Sequence, residues 1–270
     1  MAGIDENVSR LSISNTVRSK LDLSQLSKLE FLYVEDDQSI EYELLPNSIT
    51  TLMIGKYRQK DLQPIENLSN LNSLRLIFYE SETLEGIGKL QNLKHLNIQT
   101  ANQLTDLKDL SKLVNLRVLA FEDAIRLENI EPISQLTKLL CLGLPDDKQN
   151  CYQSIKFLEN FAELGVVFWN KATVMDGKVK FLLNLPSIFD VIFTQPIGVN
   201  YDLSRQDFKD LLKKHKTKRQ KKYYSRLSAE GGQAAKMAEN LMSINGVSST
   251  SVLPKKTFKY FNELKKRFKV

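Results

Sequence analysis

Cysteine and histidine are scarce in this 270-residue chain, with two of each. Two thiols, Cys141 and Cys151, cannot build a disulfide framework or a metal quartet, so both read as reduced side chains. His95 and His215 stand in no H-E-x-x-H pattern, and C-x-x-C and G-x-S-x-G are absent, which leaves zinc protease, thioredoxin-like and serine hydrolase chemistry without a motif. Gly86-Ile87-Gly88-Lys89 lacks the four residues between glycines, and the Ser or Thr after lysine, that a phosphate loop needs. The expectation is a protein that is not an enzyme and has no cofactor and no metal site.

Long apolar runs are missing too. No window approaches 18 uninterrupted apolar residues, and the opening MAGIDENVSR has no basic start followed by an apolar segment. The reading is a chain with neither membrane span nor secretory leader, placed in the cytoplasm. The net charge of +6 is unevenly spread: residues 201–270 hold 18 Lys+Arg against 6 Asp+Glu, so residues 1–200 are net −6. A mildly acidic body therefore carries a strongly basic C-terminal part.

What is present is a repeated phrase, L-x-x-L-x-x-L-x-[LIF]. It occurs as Leu90/Leu93/Leu96/Ile98, Leu113/Leu116/Leu119/Phe121 and Leu136/Leu139/Leu142/Leu144, with the third leucines 23 residues apart. Followed outward, it places anchors at positions 11, 32, 52, 74, 96, 119, 142, 164 and 191, and seven of the eight intervals fall between 20 and 23. A period of that length on leucines at fixed offsets is the signature of a leucine-rich repeat solenoid. Each copy is one strand and a return segment, too small to bury its own apolar face; stacking makes one curved parallel sheet of about nine strands. The return segments, such as Asp106 to Leu113 and Asn129 to Leu136, space their apolar residues by three, which predicts a 3₁₀ turn, and Pro64 and Pro132 suit its start. The expected class is an α/β solenoid over 1–198, a horseshoe, followed by a basic helical C-terminal unit over 199–270.

These repeats resemble the short, 22-residue-type repeats of bacterial internalin-like proteins and of a phosphatase regulatory subunit. The resemblance implies a horseshoe that binds macromolecules. One departure is plain: the asparagine usual five residues after the third leucine is replaced by Asp37, Tyr57, Tyr79, Ala101, Ala124, Asp147 and Trp169, so the loops after the strands must be satisfied in another way. After Pro196 and Gly198 the repeat ends. Ser204 with Asp207 forms a capping-box-like helix start, with Phe208, Leu211, Leu212 and His215 on one face; further helices are predicted over 234–245 and after Pro254.

Side chains that alternate with the buried pair of each strand should line the concave side. That face is expected to hold Phe31, Tyr33, Glu35, Asp36, Met53, Lys56, Arg75, Ile77, Phe78, His95, Asn97, Gln99, Val118, Glu122, Asp123, Asp146, Val167 and Phe168, and aromatic and Arg anchors among charges suit a protein partner. A second candidate is the basic run Lys213, Lys214, Lys216, Lys218, Arg219, Lys221 and Lys222, with Tyr223 and Tyr224 adjacent. Its charges could neutralise phosphates and its tyrosines stack on bases, or the run could dock an acidic partner or remain a solvated face. A second basic cluster stands at Lys265, Lys266, Arg267 and Lys269. The leading expectation is a recognition protein that binds a protein on its concave face, in the setting of a bacterial effector, immunity or defence component. The alternative is a nucleic-acid-associated protein holding phosphates through its basic helices.

Overall fold

A computed structural model of the protein describes residues 6–14, 20–194 and 196–229. In chain order the strands are β1 (Arg10–Ile13), β2 (Phe31–Val34), β3 (Thr51–Tyr57), β4 (Ser73–Tyr79), β5 (His95–Gln99), β6 (Val118–Glu122), β7 (Cys141–Gly143), β8 (Cys151–Tyr152), β9 (Val166–Trp169), β10 (Thr173–Val174) and β11 (Asp190–Phe193). Nine of them form one parallel sheet in the order β1-β2-β3-β4-β5-β6-β7-β9-β11, and β8 pairs with β10 on the loops that leave β7 and β9. The chain is a solenoid, and each turn of it adds one strand. The predicted helices over 234–245 and after Pro254, and the cluster at 265–269, lie outside the described residues.

The return segments are 3₁₀ turns, among them Gln63–Ile65, Ile87–Lys89, Lys108–Lys112 and Glu131–Gln135. With three residues per turn, apolar side chains spaced by three point the same way, and Leu107, Leu110 and Leu113 are all buried. Pro64 and Pro132 occupy the first turn of their segments, where the missing N–H leaves no bond unmade. Gly86, at φ +95, turns the chain into its segment; a Cβ there would fall 2.6 Å from the Gln63 nitrogen.

The register aligns Leu11, Leu32, Leu52, Leu74, Leu96, Leu119, Leu142, Val167 and Val191 in one row. This corrects the eighth anchor, because Val167, and not Leu164, pairs with Leu142. Val167 thereby belongs to the buried row and not to the concave face, and Trp169 moves to the inward position beside Phe193, on which it stacks with ring centroids 5.0 Å apart. From Leu32 to Val191 this row is essentially solvent-free. Each such side chain contributes roughly 1.5–3 kcal/mol by burial, which is why seven of the nine rungs carry leucine and the last two valine.

Tyrosines and carboxylates take the place of the missing asparagines. Tyr57 and Tyr79 stack with centroids 5.5 Å apart at 21°, and the Tyr57 hydroxyl donates to the Asp61 carbonyl at 2.6 Å. The buried Asp37 carboxylate accepts from the Arg58 backbone N–H at 2.8 Å and from the Gln59 amide at 3.0 Å. Near the far end, Asn150 donates to the carbonyls of Ala124 and Leu127, both at 3.0 Å. These polar groups find partners inside the fold, as burial requires.

Helix α1 (Arg205–Ala229) closes the described chain. Its start is a reciprocal capping box: the Asp207 N–H donates to the Ser204 hydroxyl at 3.1 Å, and the Ser204 N–H to the Asp207 carboxylate at 3.2 Å. Tyr201 precedes the helix and joins the core, accepting at its hydroxyl from the Val174 N–H at 3.0 Å. The buried face differs from the predicted one. Leu211 and His215 are exposed, and the packed stripe is Phe208, Leu212, Lys216, Arg219, Tyr223 and Leu227.

Candidate functional site

Three zones make up the concave side. The first lies on β1 to β4. Arg10 sits over the Phe31 ring, 4.1 Å from its centroid, and Phe31 and Tyr33 are themselves buried, whereas Glu35 is half-buried. Beside them β3 and β4 are the longest strands of the sheet, seven residues each, and their register sets Met53 beside Arg75 and Lys56 beside Phe78. Here Lys56 is exposed and Met53, Ile77 and Phe78 are half-buried, while the Arg75 side chain has its Nε buried and donates to Gln99. Apolar side chains left partly open to water, with cationic neighbours, give this zone the make-up of an interface core.

Polar groups fill the second zone, on β5 and β6. Arg75 donates to the Gln99 side-chain oxygen at 3.1 Å, and Gln99 donates onward to Glu122 at 2.6 Å. Asn97 reaches the same Glu122 oxygen at 3.5 Å. Glu122 thus gathers donors from its neighbouring strand, and burial pushes the Arg75 pKa down while Glu122 pulls it back up. His95 is fully buried between Ser73 and Val118 of the flanking strands. Burial, with Lys94 nearby, lowers its pKa to about 3, so it is neutral at pH 7. His95 and Asn97 are interior residues, which corrects the expectation that they face solvent. Asp123, at the end of β6, is exposed and pairs with Lys171 at 3.1 Å.

The third zone is apolar and closed. Val118, Ala120, Cys141, Val166, Phe168, Phe189 and Ile192 form a cluster with Tyr223 and Leu227 of α1. Phe168 lies across Gly143, where a Cβ would fall 2.4 Å from its ring, so it is buried and not an open anchor. Tyr223 meets Phe189 edge-on with centroids 5.0 Å apart. Lys216 pairs with Asp190 at 3.0 Å, and Arg219 donates to the Ile188 carbonyl at 2.8 Å. Tyr223 is thus taken up in packing, which corrects its reading as a base-stacking group, and Tyr224 is half-buried beside it. Burial also pushes the Cys141 thiol up to about 12, so it stays protonated. Lys213, Lys214, Lys218, Lys221 and Lys222 remain exposed.

One parallel sheet with a strand per 20-to-25-residue turn, 3₁₀ returns and an unbroken row of leucines ending in two valines decides the class. The chain is a leucine-rich repeat protein. It is similar in fold to internalin C2 of Listeria monocytogenes, with 25% identity, a TM-score of 0.56 and coverage of 69% of this chain and 80% of that one. A leucine-rich repeat protein of Leptospira interrogans matches with 19% identity and a TM-score of 0.52, over 76% of this chain and 59% of that one. The structure of the Drosophila Toll–Spatzle complex matches with 16% identity and a TM-score of 0.54, over 73% of this chain and 29% of that one. No protein-family model and no curated relative matches the sequence. Among the described residues of this leucine-rich repeat protein, no group of three or more His, Cys, Asp or Glu could hold a metal ion, and no helix is long and apolar enough to cross a membrane.

Proposed function

We propose that this leucine-rich repeat protein is a non-enzymatic recognition module that binds a protein partner on its concave side, over β3 and β4. The observation that carries the reading is the partly open cluster of Met53, Ile77 and Phe78 beside the exposed Lys56 on two adjacent strands, with Arg75 held next to it by Gln99. Apolar groups with charged neighbours are what a partner can desolvate and then orient by charge. Glu35 and Asp123 add acidic groups on either flank. The closed third zone leaves the first as the accessible part of the arc among the described residues. The fold shared with internalin C2, and with a chain of the Toll–Spatzle complex, suits a module for macromolecular interaction. The setting we infer is a bacterial effector, immunity or defence component acting in the cytoplasm.

To test it, the partner is captured on the wild-type chain, identified by mass spectrometry and titrated against Phe78→Ala and Lys56→Glu. Both side chains reach solvent, so the fold should survive with an unchanged melting temperature. Phe78→Ala is expected to weaken binding by at least about tenfold, the scale of a central aromatic anchor. Equal affinity for wild type and both variants would remove the concave face as the site.

A further inference from the structure

The arc uses only one side of α1. At about 100° per residue, Phe208, Leu212, Lys216, Arg219, Tyr223 and Leu227, spaced by four, four, three, four and four, fall on a single stripe. Lys213, Lys214, Lys218, Lys221 and Lys222 fall on the outward half of the helix and are all exposed. The two cations of the basic run that share the inward stripe are both engaged by the arc, Lys216 with Asp190 and Arg219 with the Ile188 carbonyl. Docking on the arc therefore sorts the run into two internal contacts and five outward charges.

Which polyanion this face fits follows from what it lacks. The apolar stripe of α1 is already buried on the arc, so no apolar face remains to enter a lipid boundary as an interfacial helix needs. Tyr223 is 2% exposed and the half-buried Tyr224 is engaged edge-on with it, so the outward face offers no open row of rings of the kind that holds single-stranded bases. Lysines are flexible point charges, suited to phosphates without fixed geometry. Lys213 to Lys222 spans about 13 Å of helix axis, enough to face several phosphates of a duplex. We propose that the outward face of α1 is a docking strip for the phosphate backbone of double-stranded nucleic acid, indifferent to base sequence. It lies on the helix that covers the third zone of the concave side, separate from the open cluster on β3 and β4, and needs no partner there.

The test is fluorescence anisotropy of the full chain with a labelled duplex of about 20 base pairs across a salt series. Five phosphate contacts give a log–log salt slope of about −4.5, or about a 500-fold loss of affinity between 50 and 200 mM salt. Neutralising all five positions, Lys213→Gln, Lys214→Gln, Lys218→Gln, Lys221→Gln and Lys222→Gln, should lower affinity at least about tenfold at low salt. Neutralising the exposed Lys28, Lys108 and Lys138 of the arc in the same way should change it less than about twofold, since counterions are released only where phosphates are actually contacted. The five-site variant binding as tightly as wild type would overturn the proposal, and would assign any duplex binding to charges elsewhere, such as those at 265–269. A labelled poly-glutamate peptide, or vesicles of anionic lipid, bound more tightly than the duplex would overturn it in favour of an acidic protein or a membrane surface.

Discussion

Tyr223 of α1 rests on Gly165, with its Cδ2 2.5 Å from where a Cβ on that glycine would sit. The Phe189 ring closes the other side at 3.0 Å, so neither neighbour can yield without losing the edge-on contact between them. Gly165→Ala should therefore lift the end of α1 from the sheet and cost about 1–3 kcal/mol, the usual scale of overpacking. Limited proteolysis reads the effect directly: cleavage within α1 at Lys or Arg should speed up in the variant while the repeats stay resistant. An unchanged cleavage rate would mean that the helix is not held by this contact.

The stacked pair Tyr57 and Tyr79 gives a second expectation. Tyr57 is fully buried and its hydroxyl is bonded to the Asp61 carbonyl at 2.6 Å. Tyr57→Phe keeps the ring stack but leaves that carbonyl without its donor, and should cost about 1–2 kcal/mol in urea denaturation. Tyr57→Asn, which supplies the residue usual at this repeat position, should cost more. The pocket is built for a ring between Tyr42 and Tyr79, and an amide leaves a cavity there. Asparagine equalling wild type in stability would refute the claim that the rings replaced the amide ladder.

Some of this architecture was open to reading from the chain and some was not. The leucine rows were legible because each rung must bury the same volume at the same offset, so one residue type recurs at a constant period. The slip at the eighth rung has the same origin: Phe161, Leu164 and Val167 are spaced by three, so the phrase fits equally well in two phases, and only the pairing of Val167 with Leu142 separates them. Alternation along a strand told which side His95 and Asn97 occupy, whereas the side of Phe168 follows from the corrected register. It could not tell that they are buried there, because their cover comes from residues distant in sequence. The docking of α1 was hidden because Lys216 and Arg219 break its apolar stripe, and their partners stand 26 and 31 residues earlier.

Strain marks the end of two successive strands. Thr100 and Asp123 stand at the same place in their repeats and both have positive φ, 51° and 52°. A β-branched residue is poorly suited to that region, whereas asparagine adopts it readily. Thr100→Asn should accordingly raise stability by about 0.5–1 kcal/mol, and Asp123→Val should lower it by about 1–2 kcal/mol. Thermal denaturation of both variants checks the pair, and a gain on Asp123→Val would show that the left-handed turn is not kept in solution.

His95 makes stability depend on pH in a window that few other groups share. Burial lowers its pKa from 6.5 to about 3, and Lys94 adds to the effect. A depressed pKa means that the unfolded chain takes up the proton first as pH falls below 6.5, while the folded chain keeps the ring neutral. Stability from this residue is therefore fully present above pH 6.5, is lost progressively below it, and is gone near pH 3. At pH 5 the loss should be about 2 kcal/mol relative to about pH 7.5. His95→Gln removes the titration, so its urea midpoint should vary much less than that of wild type between these two pH values. If wild type and His95→Gln lose stability in parallel, the imidazole is reached by water in solution and the closed second zone of the concave face is wrong.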